Sequence, residues 1–193
     1  MADASVTINL NASGFAAKII AAFPERIVIL DAVADELEDG RRKGRRDADD
    51  VRRLVREGLI EIKTLGPAGL VHLEGLVVGS ASETLDDGEA ATIAYALEVG
   101  AVAVIDERKA IRICAERFPK LGLRCTVDIF AHAEVQRALG QQRLAEALFN
   151  SLRDARMRVL PDQIRWAVDL IGAERAAKCP SLPSSVRGQG PRR

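Results

Sequence analysis

The chain is short of the residues from which most sites are built. It has two histidines, His72 and His132, far apart in sequence. A histidine-built metal centre or a Ser/His/Asp relay therefore has little to draw on. The three cysteines, Cys114, Cys125 and Cys179, form an odd set with no C-x-x-C pair. That argues against a disulfide framework or a zinc knuckle and fits a reducing compartment. Aromatic residues are few and do not interleave with the basic ones, so no base-stacking platform is evident. Lysine plus arginine total 28, as do aspartate plus glutamate, so no net field directs the molecule toward nucleic acid. No G-x-G-x-x-G or P-loop sequence is present to hold a nucleotide. No run approaches the roughly 20 apolar residues that span a bilayer, and no basic segment followed by an apolar run opens the chain. A cytoplasmic protein without membrane contact is the expectation.

What is present is an ordinary globular composition: 193 residues, 48% hydrophobic and 29% charged. Ile27–Leu30 is an unbroken aliphatic run, the pattern of a strand buried on both faces. Val51, Leu54, Val55 and Leu59 recur at helical spacing, predicting a helix from Asp50 to about Leu59. Glu61 to Leu65 reads as a short strand closed by Gly66-Pro67. Asp86-Asp87-Gly88 supplies an N-cap, Ala90, Ile93, Ala94 and Leu97 line one helical face, and Gly100 is a natural stop. Ala101 to Ile105 is too short for a helix and reads as a buried strand ending at Asp106. A helix carrying Ala110, Ile113, Cys114 and Arg117 follows, then a strand over Leu121 to Thr126. Helices alternating with short strands imply a parallel sheet covered on both faces. Beyond Asp128 the pattern is all-helical: Leu144, Leu148 and Leu152 step by four, and Pro161 opens a last helix stopped by Gly172. From about Ala176 to Arg193 the chain is rich in Pro, Ser, Gly and Arg and reads as a disordered tail.

Acidic residues fall at the ends of these elements. Ligands of open parallel sheets bind beyond the carboxyl ends of the strands. Asp106 ends one strand, Glu89 sits in the first turn of the preceding helix, Glu36 follows the Ile27–Leu30 strand, and Asp3 stands in the opening Ala2-Asp3-Ala4-Ser5. Together they would repel one another without a cation. A hard ion such as Mg2+ takes oxygen ligands and often only one or two direct carboxylates. Each residue also has a bland reading. Asp106 could cap the next helix, Glu89 suits any helix N-terminus, Glu36 fits a solvated face, and Asp3 alone near a chain end says nothing.

In order, these segments resemble the PIN-domain family, closest to VapC-like toxins and their relatives. Asp3-Ala4-Ser5 running into Val6-Thr7-Ile8-Asn9-Leu10 looks like the opening D-x-S motif, and Val33-Ala34-Asp35-Glu36-Leu37 like the second. Leu85-Asp86-Asp87-Gly88-Glu89-Ala90 resembles the third in a D-x-G-E form, and Ala103-Val104-Ile105-Asp106 the fourth. The likeness is clearest over residues 1–125. It implies a single PIN-like domain over 1–175, a three-layer α/β/α sandwich with a mainly parallel sheet and a helical C-terminal extension, followed by the tail at 176–193. The period-two alternation of Val6, Ile8 and Leu10 reads as a strand, whereas the resemblance makes this segment a helix, and the helix is the expectation adopted.

By the same resemblance Asp3, Glu36, Glu89 and Asp106 are the catalytic and metal-binding set, with Asp86 as an alternative ligand and Ser5 supporting the site. The implied activity is a Mg2+- or Mn2+-dependent endoribonuclease, the toxin of a toxin–antitoxin pair, acting on RNA, neutralised by an antitoxin protein and forming a homodimer. The alternative is a catalytically weak PIN-like module that acts through a protein or nucleic-acid partner. Arg41, Arg42, Arg45 and Arg46 head the one dense basic region and are candidate phosphate contacts. Their bland reading is a solvated face balanced by Asp47, Asp49 and Asp50.

Overall fold

A computed structural model describes residues 1–187. In chain order the elements are α1 (Ala4–Ala12), α2 (Ala16–Ala22), β1 (Ile27–Leu30), α3 (Asp31–Arg42), α4 (Asp47–Arg56) and β2 (Ile60–Lys63). Next come α5 (Pro67–Val77), α6 (Asp87–Val99), β3 (Ala103–Val104), α7 (Arg108–Arg117), β4 (Leu123–Arg124) and α8 (Thr126–Ala131). The chain continues with α9 (Ala133–Asp154), a 3-10 turn at Pro161–Gln163, α10 (Ile164–Ile171), α11 (Ala173–Ala176) and α12 (Ser184–Arg187). Among the described residues no helix is long and apolar enough to cross a membrane. The described residues divide into two compact units, Met1–Thr7 with Glu25–Cys125, and Ile8–Pro24 with the described residues from Thr126 onward.

The first unit is parallel α/β. β1 pairs with β2 in parallel from Ile27↔Ile60 to Leu30↔Lys63, and β3 pairs with β4 in parallel at Ala103↔Leu123 and Val104↔Arg124. The opening residues join the two pairs. The Ala2 amide donates to the Val28 carbonyl at 2.9 Å, Ala2 bridges Val104 in parallel, and the Val104 amide donates to the Met1 carbonyl at 2.7 Å. The order across the sheet is thus β2, β1, the Ala2 rung, β3, β4. Ile29, Leu30 and Ile105 are fully buried, as expected for strands covered on both faces.

Several strands are shorter than the sequence pattern predicts. Ala101 to Ile105 contributes two ladder residues, although Ala103 and Ile105 donate to the Gly122 and Arg124 carbonyls at 2.9 and 2.8 Å. Hydrophobicity marks the buried stretch, while pairing is limited by the length of its neighbour. Helix α1 replaces the alternation of Val6, Ile8 and Leu10, because its start is capped at Asp3, as the next subsection describes. Helix α6 follows expectation: the Asp86 side chain accepts from the Glu89 amide at its start, and Gly100 at φ +66° ends it. That left-handed angle favours glycine.

The second unit is helical. Val135, Leu139, Leu144, Leu148 and Leu152 are buried along α9, which breaks at Gly140 (φ +73°). Ser151 donates to the Asn9 carbonyl at 2.7 Å. The expected last helix, α10, ends at Gly172 as predicted, but the chain does not fall into a tail at 176. Ala176, Cys179 and Leu182 are buried and α12 follows, so order extends through Arg187. Three apolar residues spaced by three give that segment a face to bury in spite of its Pro and Ser content. The rest of the expected tail, 188–193, lies outside the described residues.

Replacing Ile29, which has no exposed surface, with alanine should cost about 2–5 kcal/mol. Chemical denaturation checks this, with the urea midpoint falling at an unchanged slope.

Candidate active site

The Ala2 rung sets where Asp3 lies. Because Ala2 runs parallel to Val104, the residues that follow each, Asp3 and then Ile105-Asp106, leave the sheet at the same end. Asp3 then caps α1. Its Oδ1 accepts from the Val6 amide at 2.8 Å and from the Ser5 hydroxyl at 3.0 Å, and Oδ2 takes the same hydroxyl at 3.1 Å. Ser5 therefore supports Asp3 directly. Asp3 and Asp106 are 3% and 4% exposed, an unusual depth for carboxylates.

Burial pushes the Asp3 carboxyl up to about 7, and the negative charges of Asp106 and Glu36 act in the same direction. The Val6 amide and Ser5 hydroxyl oppose the rise without cancelling it. Glu36, on α3 just after β1, also titrates above its ordinary range. The cause is partial burial first and the charge of Asp86 second, with Arg45 pulling the other way. Asp3, Asp106, Glu36 and Asp86 therefore form one connected set of acidic neighbours. Glu89 stands in the first turn of α6, half-buried, its amide bonded to Asp86 and its charge felt by the buried Cys114 thiol, which burial pushes up to about 11. Among the described residues no group of three or more His, Cys, Asp or Glu side chains is drawn together tightly enough to hold an ion as it stands.

Gly88 explains part of the spacing. A Cβ built there would lie 2.6 Å from Glu36 Oε2, so the carboxylate of α3 rests where a side chain of α6 would otherwise be. The sequence marks Gly88 only as part of a helix-opening turn. Its use as space for Glu36 needs the packing of α3 on α6. Thr92, one turn further along α6, is fully buried and its hydroxyl has no hydrogen-bond partner among the described residues. An unsatisfied buried hydroxyl costs about 1–3 kcal/mol. No motif pointed to it.

The basic region divides. Arg41 pairs with Glu38 and Arg42 with Asp39, each three residues earlier on α3. Arg52 and Arg53 are held by Asp49 and Asp50, and Arg52 also by Glu38. Arg45 and Arg46 are exposed and make no ion pair within 4 Å among the described residues. Arg45 is the one whose charge reaches the acidic set, through Glu36.

The donors fit a hard divalent ion. All are carboxylate oxygens, with two from deeply buried residues, and the Asp3 carboxyl titrates near neutrality because it is buried, with Asp106 and Glu36 adding to the rise. A nearby dication reverses each of these penalties. A family model described as a PIN domain matches residues 1–173. No curated protein and no solved structure matches the chain.

Two outcomes follow. Because the folded-state pKa of Asp3 is raised, its contribution to stability is complete below about pH 4 and is lost as pH rises to about 7. In EDTA at pH 8, Asp3→Asn, which can still cap α1, should be more stable than wild type by about 2–4 kcal/mol. Calorimetry should show that gap closing at pH 4. Gly88→Ala should leave the melting temperature unchanged or higher, since alanine suits a helix. It should also weaken Mn2+ binding by roughly 10–100-fold, read by titration calorimetry, because Glu36 is displaced.

Proposed function

The chain belongs to the PIN-domain family, whose members are generally nucleases, and from that premise we propose that it is a Mg2+- or Mn2+-dependent endoribonuclease and the toxin of a toxin–antitoxin pair. The observation that carries this reading is the pair of buried carboxylates, Asp3 and Asp106, at one end of a parallel sheet with Glu36 close enough to raise the Asp3 pKa. Asp3, Glu36, Glu89 and Asp106 would hold the ion, with Asp86 able to take part. The bound ion would supply a water of lowered pKa and charge stabilisation at the phosphate.

The chain's own groups have separable tasks. Ser5 and the Val6 amide orient the Asp3 carboxylate, leaving its remaining lone pairs for the site. Asp106 follows Ile105, whose amide donates to the Arg124 carbonyl at 2.8 Å, so its backbone is anchored one residue before the carboxylate. Glu36 would reach the ion from solvent-accessible α3, its carboxylate seated over Gly88. Arg45 would meet a phosphate oxygen beside Glu36, and Arg46 would extend that contact along the backbone of the RNA. Arg41 and Arg42, held by their own helix, would contribute mainly field. In a cytoplasmic setting an antitoxin protein would cover the acidic end of the sheet, and the toxin would act as a homodimer.

The test is cleavage of a structured RNA by the purified chain with Mg2+ or Mn2+, with and without EDTA, alongside Asp106→Asn. Cleavage should vanish in EDTA and drop on the order of 100-fold or more in the variant. Cleavage indifferent to both would overturn the mechanism. Metal binding with no turnover on any RNA would favour the alternative, a PIN-like module that acts through a partner.

A further inference from the structure

The amino ends of β3 and β4, away from Asp106, frame a cavity of about 500 Å³ in the first unit. That size falls within the range of small-molecule sites. Its walls come from the last turn of α6, the lead into β3, the end of α7 and the lead into β4. Leu97, Val102, Phe118 and Leu121 give it an apolar lining, and among the described residues the only charged ones in its wall are Arg117 and Lys120. Gly122 allows the close approach that shapes one side: a Cβ there would lie 3.0 Å from Val102 Cγ2.

The two cations differ in ways that matter for binding. Arg117 is held in place, donating to the Gly75 carbonyl at 2.7 Å with its guanidinium 5.6 Å from the Phe118 ring centroid. No carboxylate is paired with it among the described residues. Lys120 is exposed and likewise has no acidic partner among the described residues. The C-terminal ends of α6 and α7 each add a partial negative charge of about one half, together outweighed by two full positive charges.

We propose that this cavity binds a small apolar anion, with its hydrocarbon body against Leu97, Val102, Phe118 and Leu121 and its acidic group at Lys120 and Arg117. Apolar walls supply affinity, and the paired cations choose the charge of the ligand. The proposal is independent of the nuclease reading, since none of these residues belongs to the acidic end of the sheet.

The probe is 8-anilinonaphthalene-1-sulfonate, an aromatic anion that fluoresces when bound in an apolar site. Titration of the full chain should show one saturable site, with amide NMR shifts confined to Gly100–Val102 and Phe118–Gly122. Lys120→Glu, at an exposed position, should weaken binding at least ten-fold, about 1.4 kcal/mol, with an unchanged circular dichroism spectrum. Ala101→Phe should remove binding by filling the space, and the neutral analogue N-phenyl-1-naphthylamine should bind at least ten-fold more weakly than the sulfonate. Equal affinity in wild type and Lys120→Glu, equal affinity for the neutral analogue, or shifts located elsewhere would each overturn the proposal.

Discussion

Ala2 is gripped from both sides, by the Val28 carbonyl and by Val104. This single rung links the two two-stranded sheets of the first unit. From it the chain order runs outward to β1 and β2 on one side and to β3 and β4 on the other. The carboxyl ends of the central strands, where ligands of open parallel sheets bind, meet at this reversal. Asp3 lies at that end as a consequence of following Ala2. Asp106 reaches it because β3 runs parallel to the rung, and Glu36 because α3 starts directly from the last residue of β1. Without the rung, nothing in the pairing of β1 with β2 or of β3 with β4 would set these residues at the same end of the strands.

The acidity gathered there opposes folding. Asp3 does useful structural work as the cap of α1, and serine or asparagine would cap as well without a buried charge. Desolvation is the largest cause of its raised pKa, so the penalty comes mainly from depth, with Asp106 and Glu36 adding to it. The helix N-terminus offsets part of this, since partial positive charge there favours a carboxylate. It does not offset all of it, because the carboxyl still titrates near 7. A fold that keeps an acid where a neutral residue would be more stable points to a ligand of opposite charge. The Gly88 gap has the same logic: alanine would strengthen α6, yet glycine leaves the space that Glu36 occupies.

Much of this was legible in the chain before its folding. Asp86 and Gly100 bracket α6 by cap chemistry that depends on local geometry alone, and β1 is marked by four consecutive aliphatic residues. Distant pairing was less legible. Strands β3 and β4 shrink to two residues each because a hydrophobic run shows burial but not how far its partner runs alongside. Helix α1 contradicts its own period-two pattern because Thr7 and Asn9, which interrupt the apolar series, are themselves buried. A polar residue that is satisfied inside the protein misleads an alternation count. The 176–187 segment failed for the converse reason: its composition is that of a tail, while three small or apolar side chains at the right spacing suffice to anchor it. The acidic set itself was readable only through family likeness, since no local rule relates Asp3 to Asp106.

The arginines show why charge counted along a sequence is a poor guide to charge offered to a ligand. Residues 41–56 hold most of the chain's dense positive run, yet four of its arginines are matched by an acid three residues earlier on the same helix. Such pairs contribute little stability, but they orient each side chain toward its own helix and offset its charge. Arg45 and Arg46 lie between α3 and α4, and the acids that follow them, Asp49 and Asp50, are taken by Arg52 and Arg53. Arg45 is felt at Glu36, so an anion drawn to it arrives beside the acidic end of the sheet. At physiological ionic strength the field of a neutral molecule fades within about 8 Å. The phosphate contact is therefore local: a few cations next to the carboxylates, holding one stretch of backbone in place.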